Sequence, residues 1–534
     1  MTDSSGFDTN NTPDTGNTLP STAIIITLTT VGYLLLSLWL VIPEPPVGFY
    51  WDDSWYLLMA EWLSGRTEHQ HLASSMLHVR QYPPLYSALI AMAGASVNDP
   101  APGFWVNALL TSASSALLIV WLRPIGGLVV ALCCSVLLLT NPVALTWLPT
   151  LFSEHLFIFL LVLTFLLLER ANADAADNGD QPTPAAGHWL VKGKQRLAAK
   201  LMLVGVVVGL AMITRSAAVA LVLAIAITSL HRHRIMGLWV LAGVTVIVGA
   251  EYIVSLDWPN PPNYRSTLSS MLDNGLSLGF VLQQGKALSS AYVQLLGSTP
   301  GAVLVFVAML PGWWARMRQG KTDAWFLLVS IMMIMLWPFP DHMPRLLWPL
   351  LPSILAAAAS TGALITSHSA RRVIAVVLVS TIGLSVHSGV GRTLSRTLNP
   401  PADVVALSRM HEWTRSADVN MGADVLRARA QFSADMEQLK GAIAPGECVY
   451  SELPAIVTAQ AHRVALASPW RTTDQIQAHT LSCRYYYLVP LALPGTTEQD
   501  VRNLSDRHQP VFRSPTPRDP SQQETLGVLL KLIP

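Results

Sequence analysis

The chain has 534 residues, of which 51% are hydrophobic and only 13% charged, where an ordinary soluble domain carries roughly 25% charge. That balance excludes a disordered chain and a plain soluble enzyme. A net charge of +1, with a mean hydropathy of +0.41, excludes a basic nucleic-acid-binding face. The charge is unevenly spread. Residues 1–390 hold 38 of the 67 Asp, Glu, Lys and Arg residues, and the last 144 residues hold the other 29. A polytopic α-helical membrane region is therefore expected to precede one α/β domain of ordinary size.

In chain order, residues 1–20 are polar, with Asp3, Asp8 and Asp14 and no Lys or Arg. That is the wrong leader for a cleaved signal peptide, so the segment reads as a disordered cytoplasmic N-terminus and the first apolar run as a real span. A helix needs about 20 apolar residues to cross the hydrocarbon core. Runs that qualify or come close centre on 22–42, 104–122, 127–145, 152–168, 199–213, 216–230, 236–256, 301–315, 324–338, 346–366 and 372–389. A shorter run, Leu85–Val97, opens at Pro83-Pro84 and reads as re-entrant or juxtamembrane. The first outer loop is then 43–103, a linker rich in Ala, Asp, Gly and Pro occupies 171–198 on the cytoplasmic side, and a second long outer loop occupies 257–299. With the short run not crossing, thirteen basic residues fall on one side and six on the other, which places the N-terminus in the cytoplasm and the 391–534 domain outside. In that domain, helical patterns at Asp403–Thr414 and Ala423–Ala442 precede strand-like runs at Glu447–Ser451, Arg463–Ala467 and Arg484–Val489.

Ionisable groups at membrane depth are costly, so each needs a partner or a task. Asp52, Asp53, Arg80, Glu154, Arg215, Asp341, His342 and Arg345 come from four connections, and all fall at outer ends of spans. Singly, each has a structural explanation as a snorkelling arginine or a helix cap; as a set, they point to one outer cavity. The adjacent carboxylates Asp52 and Asp53 open an amphipathic helix. They suit either general-base chemistry on an acceptor hydroxyl or an acidic first turn favoured by the helix dipole.

The stretch Asp52-Asp53, Tyr56, Ala60, Leu63 and Gly65 resembles the first outer loop of GT-C glycosyltransferases, in particular lipid A aminoarabinose and galacturonosyl transferases and protein O-mannosyltransferases. Further matches follow in the same order: Pro83-Pro84-Leu85-Tyr86, Asn141-Pro142, Ser153-Glu154, Ile213-Thr214-Arg215, and Arg345-Leu346-Leu347-Trp348-Pro349 with Pro352. Tyr82 stands where many relatives carry Lys, with Arg80 two positions earlier, and Glu154 stands where many carry Asp. The resemblance covers most of residues 22–366. It implies a GT-C-like catalytic domain over 21–390 and transfer of a sugar from a polyprenyl-phosphate donor to a glycan, lipid or protein acceptor. Asp52 would be the general base with inversion at the anomeric carbon, and Asp53 would orient it or contact the acceptor. Arg80, Arg215 and Arg345 would bind the donor phosphate, with Tyr56, Tyr82, Glu154 and His342 also contacting substrate. A monophosphate carrier demands no metal, and no ligand cluster or cofactor motif is present in the sequence. The expected setting is the inner (plasma) membrane, with the site and the 391–534 domain on the periplasmic side and lipids as neighbours. A lipid-linked saccharide flippase or a membrane-anchored receptor is the alternative; the first calls for mid-span charges and a repeated half.

Cys133 and Cys134 sit in an apolar run and read as core residues. Cys448 and Cys483 begin two strand-like runs. Neighbouring strands lie about 4.8 Å apart, and a disulfide wants Cα atoms about 5.5–6 Å apart, so a bond is geometrically open in an oxidising compartment. Two unrelated buried thiols are the alternative.

Overall fold

An apolar run long enough to cross a bilayer, about 20 residues, has no water there with which to bond its backbone, and a helix satisfies its N–H and C=O groups within the segment. The computed structural model describes residues 19–41, 51–67, 69–76, 82–148, 150–177, 187–232, 234–256, 277–337, 342–364, 372–385, 387, 434–451, 453–467, 483–488, 508–515 and 525–532. Its first half comprises α1 (Leu19–Val41), α2 (Trp51–Leu63), α3 (Gln70–Met76), α4 (Leu85–Met92), α5 (Ala101–Thr140), α6 (Pro142–Trp147), α7 (Glu154–Asp177), α8 (Gly187–Met212), α9 (Val219–Arg232) and α10 (Arg234–Val254). There follow α11 (Leu278–Leu296), α12 (Thr299–Arg318), α13 (Thr322–Met335), the short α14 (Met343–Leu347), α15 (Leu351–Leu364) and α16 (Arg372–Ser385).

Among the described residues, each apolar run read from the sequence lies largely on helix. Among the described residues, five helices are long and apolar enough to cross a membrane: Ala101–Thr140, Glu154–Asp174, Gly237–Val254, Thr299–Arg318 and Met343–Leu364. The first is two helices joined at a kink, where Pro124 removes a backbone donor and Gly127 takes φ 84° and ψ 171°. The predicted run 127–145 does not continue unbroken. Its helix ends at Thr140, and Asn141 caps α6 by accepting from Ala144 N at 2.8 Å. The stretch expected as the outer loop 257–299 contains the 19-residue α11, which Ser277 caps through Phe280 N. Leu85–Val97 yields only the eight-residue α4.

Two helix pairs approach closely enough to require glycine. A Cβ on Gly205 would lie 2.1 Å from the Val240 carbonyl oxygen, locking α8 to α10. A Cβ on Gly312 would lie 2.0 Å from that of Ala357, locking α12 to α15. A buried ion-pair network holds α7, α12, α13 and α15 together. Arg316 donates to both oxygens of Asp323 at 2.7 and 2.8 Å, to Glu169 at 3.0 Å and to Ser360 at 3.2 Å, and Lys321 pairs with Glu169 at 2.5 Å. Glu169 lies 15 residues along α7 from Glu154, or about 22 Å at 1.5 Å per residue, so this staple marks the end of the bundle opposite Asp52.

The C-terminal domain contains α17 (residues 434–442), β1 (Cys448–Ser451), α18 (Pro454–Ala461), β2 (Val464–Ala467), β3 (Tyr485–Leu488), β4 (His508–Pro515) and β5 (Thr525–Leu532). The sheet order is β2-β1-β3-β5-β4. β1 runs parallel to β2 and β3, while β5 is antiparallel to both β3 and β4. The register sets Val449 opposite Tyr485, and a disulfide joins Cys448 to Cys483 across Cα atoms 4.9 Å apart. The expected helix at Asp403–Thr414 lies outside the described residues, as does the first part of Ala423–Ala442.

This domain rests on the helix that carries the paired acids. Ala455 of α18 is buried with Trp55 and Leu58 of α2 and Ala73 of α3, and Tyr82 packs against the same cluster. Beside it, the His69 and His462 rings stack with centroids 4.7 Å apart and planes at 19°. Burial lowers the His462 pKa below its ordinary value; His69, Lys440 and Arg463 lower it further, while Glu437 opposes. A histidine with a lowered folded pKa stabilises least in acid. Its contribution is intact above the unfolded value of about 6.5 and is lost as pH falls from there through the folded value. The thermal midpoint of the protein should therefore drop between pH 7.5 and pH 5. His462→Asn, which tolerates the left-handed φ of 51°, should flatten that drop. Equal drops in the two proteins would refute this role.

Candidate active site

Four segments bring the charged residues together. Asp52 and Asp53 lie in the first turn of α2. Glu154 is the first residue of α7, where the helix dipole favours a carboxylate. Arg215 is extended, at φ −151° and ψ 135°, at the head of the 3₁₀ turn Ser216–Ala218 that follows α8. Arg345 stands in the last turn of α14, which leads into the 3₁₀ turn Trp348–Leu350. Two backbone devices fix the neighbourhood. Leu85 N donates to Ile213 O at 3.1 Å, tying the double-proline turn to the Arg215 segment. Asn107 accepts from Tyr86 OH and donates to Thr150 O, both at 2.7 Å, tying α4 and α5 to the turn before α7.

The Arg345 guanidinium bridges two carboxylates. It pairs with Asp52 Oδ2 through Nη1 and with Glu154 Oε1 through Nε, and Nη2 donates to Glu154 Oε2 at 3.2 Å. Arg215 Nη1 pairs with Glu154 Oε1 at 2.5 Å and reaches Ser153 Oγ at 3.5 Å. Tyr82 OH donates to Asp52 Oδ1 at 2.5 Å, and Tyr56 OH donates to Ser153 Oγ at 2.7 Å. Every oxygen of Asp52 and Glu154 thus has a donor. Arg345 also lies over the Phe152 ring at 3.9 Å, a cation–π contact that holds the guanidinium plane. The Glu154 side chain is fully buried, whereas those of Asp52, Arg345 and Arg215 keep 12%, 14% and 17% exposure. The cluster has an open side, and its two acids balance its two arginines. Burial, with Asp52 and Glu154 adding, holds the Tyr56 hydroxyl well above the usual tyrosine pKa, so it acts as a donor and not as a base.

Of the residues singled out in the sequence, Asp52, Tyr56, Tyr82, Glu154, Arg215 and Arg345 form one connected cluster. Asp53 is buried in the same turn, with Ser54 Oγ 3.4 Å from its carboxylate. His342 is half-buried three residues before Arg345, and Arg80 lies outside the described residues. Ser153, read in the sequence as part of Ser153-Glu154, joins the cluster through Tyr56; Phe152 and His155 also belong to the constellation but carried no charge pattern that would mark them. Among the described residues, no three His, Cys, Asp or Glu side chains gather in a way that would hold a metal ion.

Beneath the cluster an apolar groove opens between α7, α9, α13 and the segment after Arg345. Phe157, Ala220, Phe326, Met333 and Leu350 line it, with Arg215 as its charged residue.

No family model matches the sequence, and no curated protein matches it significantly. Solved structures do match. The fold is similar to that of ArnT from Cupriavidus metallidurans bound to undecaprenyl phosphate, with a TM-score of 0.54 at 13% identity over 96% of this chain and 98% of that one. It is also similar to the oligosaccharyltransferase of Archaeoglobus fulgidus. With a tethered acceptor peptide, that protein matches with a TM-score of 0.53 at 12% identity over 87% and 69% of the two chains. Its complex with zinc and sulfate matches with a TM-score of 0.51 at 11% identity over 91% and 72%. The chain therefore shares the overall fold of ArnT and of the archaeal oligosaccharyltransferase, and five of its described helices are long and apolar enough to cross a membrane.

Proposed function

We propose that this protein transfers a sugar from a polyprenyl-phosphate carrier to an envelope glycan, lipid or protein acceptor at the outer face of the inner membrane. The observation that carries this reading is the placement of Arg215: it joins the charged cluster at one side and lines the apolar groove at the other. A phosphate ester with an isoprenoid tail has that same division, an anion that suits an arginine fork and a hydrocarbon chain that suits the groove. The undecaprenyl phosphate bound by the structurally similar ArnT supports this donor class.

In the proposed reaction the acceptor hydroxyl oxygen attacks the anomeric carbon while its proton passes to Asp52. The bond from that carbon to the phosphate oxygen breaks on the opposite face, so configuration inverts, and the polyprenyl phosphate leaves with the electron pair. Arg215 and Arg345 neutralise the charge that develops on it. Asp52 can take the proton once Arg345 turns from it towards the phosphate, and Tyr82 keeps its other oxygen in place.

The decisive experiment supplies membranes containing the protein with a radiolabelled polyprenyl-phosphate sugar. Label should move to an acceptor and free polyprenyl phosphate should appear. A carrier that is moved but chemically unchanged would replace this reading with that of a flippase.

The proposed topology has eleven crossings, with the N-terminus in the cytoplasm and the site and the C-terminal domain outside. The contact of Ala455 with Trp55 and Leu58 supports a common side for the last two. A cytoplasmic reporter fused at Gly187 should be active and one fused after Gln499 silent; the reverse pattern would overturn the topology.

A further inference from the structure

His155 is a buried, titratable side chain that the proposed chemistry does not use. It follows Glu154 directly on α7 and is 1% exposed. Three separate elements meet its ring. Thr111 Oγ1 of α5 lies 2.8 Å from Nδ1, Trp147 O of α6 lies 3.3 Å from Nε2, and the Trp348 ring meets it edge-on at 5.0 Å and 86°. A carbonyl only accepts, so Nε2 carries a proton towards Trp147 O; Thr111 Oγ1 lies 2.8 Å from both Nδ1 and the Asn107 carbonyl oxygen and has one hydrogen for the two, so the ring is held from both sides.

The partners are arranged in register. Glu154 grips Arg345, and the next residue, His155, meets Trp348, three residues after Arg345 on the same short helical segment. Two consecutive side chains of one helix thus hold two points, nearly one turn apart, on another. A single ion pair fixes a distance, whereas two contacts also fix a rotation. α14 is the five-residue first part of the helical stretch Met343–Leu364, set off from α15 by the 3₁₀ turn Trp348–Leu350, so what packs on this end helps to set its rotation.

We propose that His155 is a positioning residue that sets the rotation of the Arg345 segment against α7, and thereby the direction in which the guanidinium fork faces a lipid-linked phosphate. The inference rests on the donor reading above. Bidentate phosphate recognition depends on the orientation of the fork, so a rotated Arg345 still neutralises Glu154 but meets the phosphate poorly.

The test measures undecaprenyl phosphate binding to the full-length protein in lipid nanodiscs, alongside its thermal midpoint. His155→Leu and, independently, Thr111→Val should each weaken binding about tenfold while the midpoint stays near that of the native protein. Combined with Arg345→Lys, either change should weaken binding by less than the product of the separate factors, because both act on one fork. Combined with Lys200→Gln, which breaks an exposed ion pair to Asp174, the factors should multiply. Native affinity in folded His155→Leu, or factors that multiply with Arg345→Lys, would overturn the proposal. If His155→Leu does not fold, Thr111→Val decides alone: native affinity in that variant overturns it equally. Failure of the native protein itself to bind undecaprenyl phosphate would instead remove the donor reading, and this inference with it.

Discussion

Asp52→Asn is expected to abolish glycosyl transfer and to leave the protein folded and inserted. The amide keeps the shape of the side chain and can still face Tyr82 and Arg345, but it cannot take a proton from an acceptor hydroxyl. A positioned base contributes about 10²–10⁴-fold to rate, and the loss should be of that order. Tyr82→Phe should cost less, about tenfold, because it removes only the 2.5 Å hydrogen bond to Oδ1 and leaves the proton acceptor in place. Transfer rates measured in membranes at matched protein levels would check both. Near-native transfer by Asp52→Asn would remove Asp52 from the chemistry.

Arg345→Ala should have the larger effect on the protein as a whole. It strips the shared counter-charge from Asp52 and Glu154, the second of which is fully buried. Breaking one partner out of a buried pair costs about 3–5 kcal/mol. The lower end applies here, since Arg215 still pairs with Glu154 and Asp52 is partly exposed. Arg345→Lys should restore most of the stability but little of the turnover, because an ammonium cannot span two carboxylates or grip a phosphate with a planar fork. Thermal unfolding and donor saturation, measured on both variants, separate the two contributions. Equal turnover in Arg345→Lys and the native protein would show that only charge matters at this position.

Much of this was legible in the sequence, for a physical reason. Long apolar runs have one way to satisfy their backbone in lipid, so the helices were readable, and charges at span ends stood out against an apolar background. The order Asp52, Tyr82, Glu154, Arg215, Arg345 could be read, although the pairing among them could not, since which carboxylate meets which arginine depends on helix rotation. His155 was missed because one polar residue in an apolar stretch carries no period. β4 and β5 were missed for opposite reasons. His508–Pro515 contains two prolines and mixed polar residues and does not look like a strand, while Thr525–Leu532 is leucine-rich and equally good as a helix. α11 was absorbed into a loop because its apolar residues are too dilute for a span.

The bridging of Arg215 and Arg345 by Glu154 has a bearing on how the pocket would rest between turnovers of the proposed reaction. Glu154 is a resident anion. It keeps two guanidinium groups compensated among apolar neighbours, so the pocket holds its shape by itself. In the proposed reaction the same arrangement would temper affinity, because an incoming phosphate would exchange partners with a carboxylate instead of meeting bare cations. The exchange would be reversible for the same reason: as the spent carrier departed, Glu154 would be at hand to take the arginines back. A site built this way would favour release of an anionic product over tight retention.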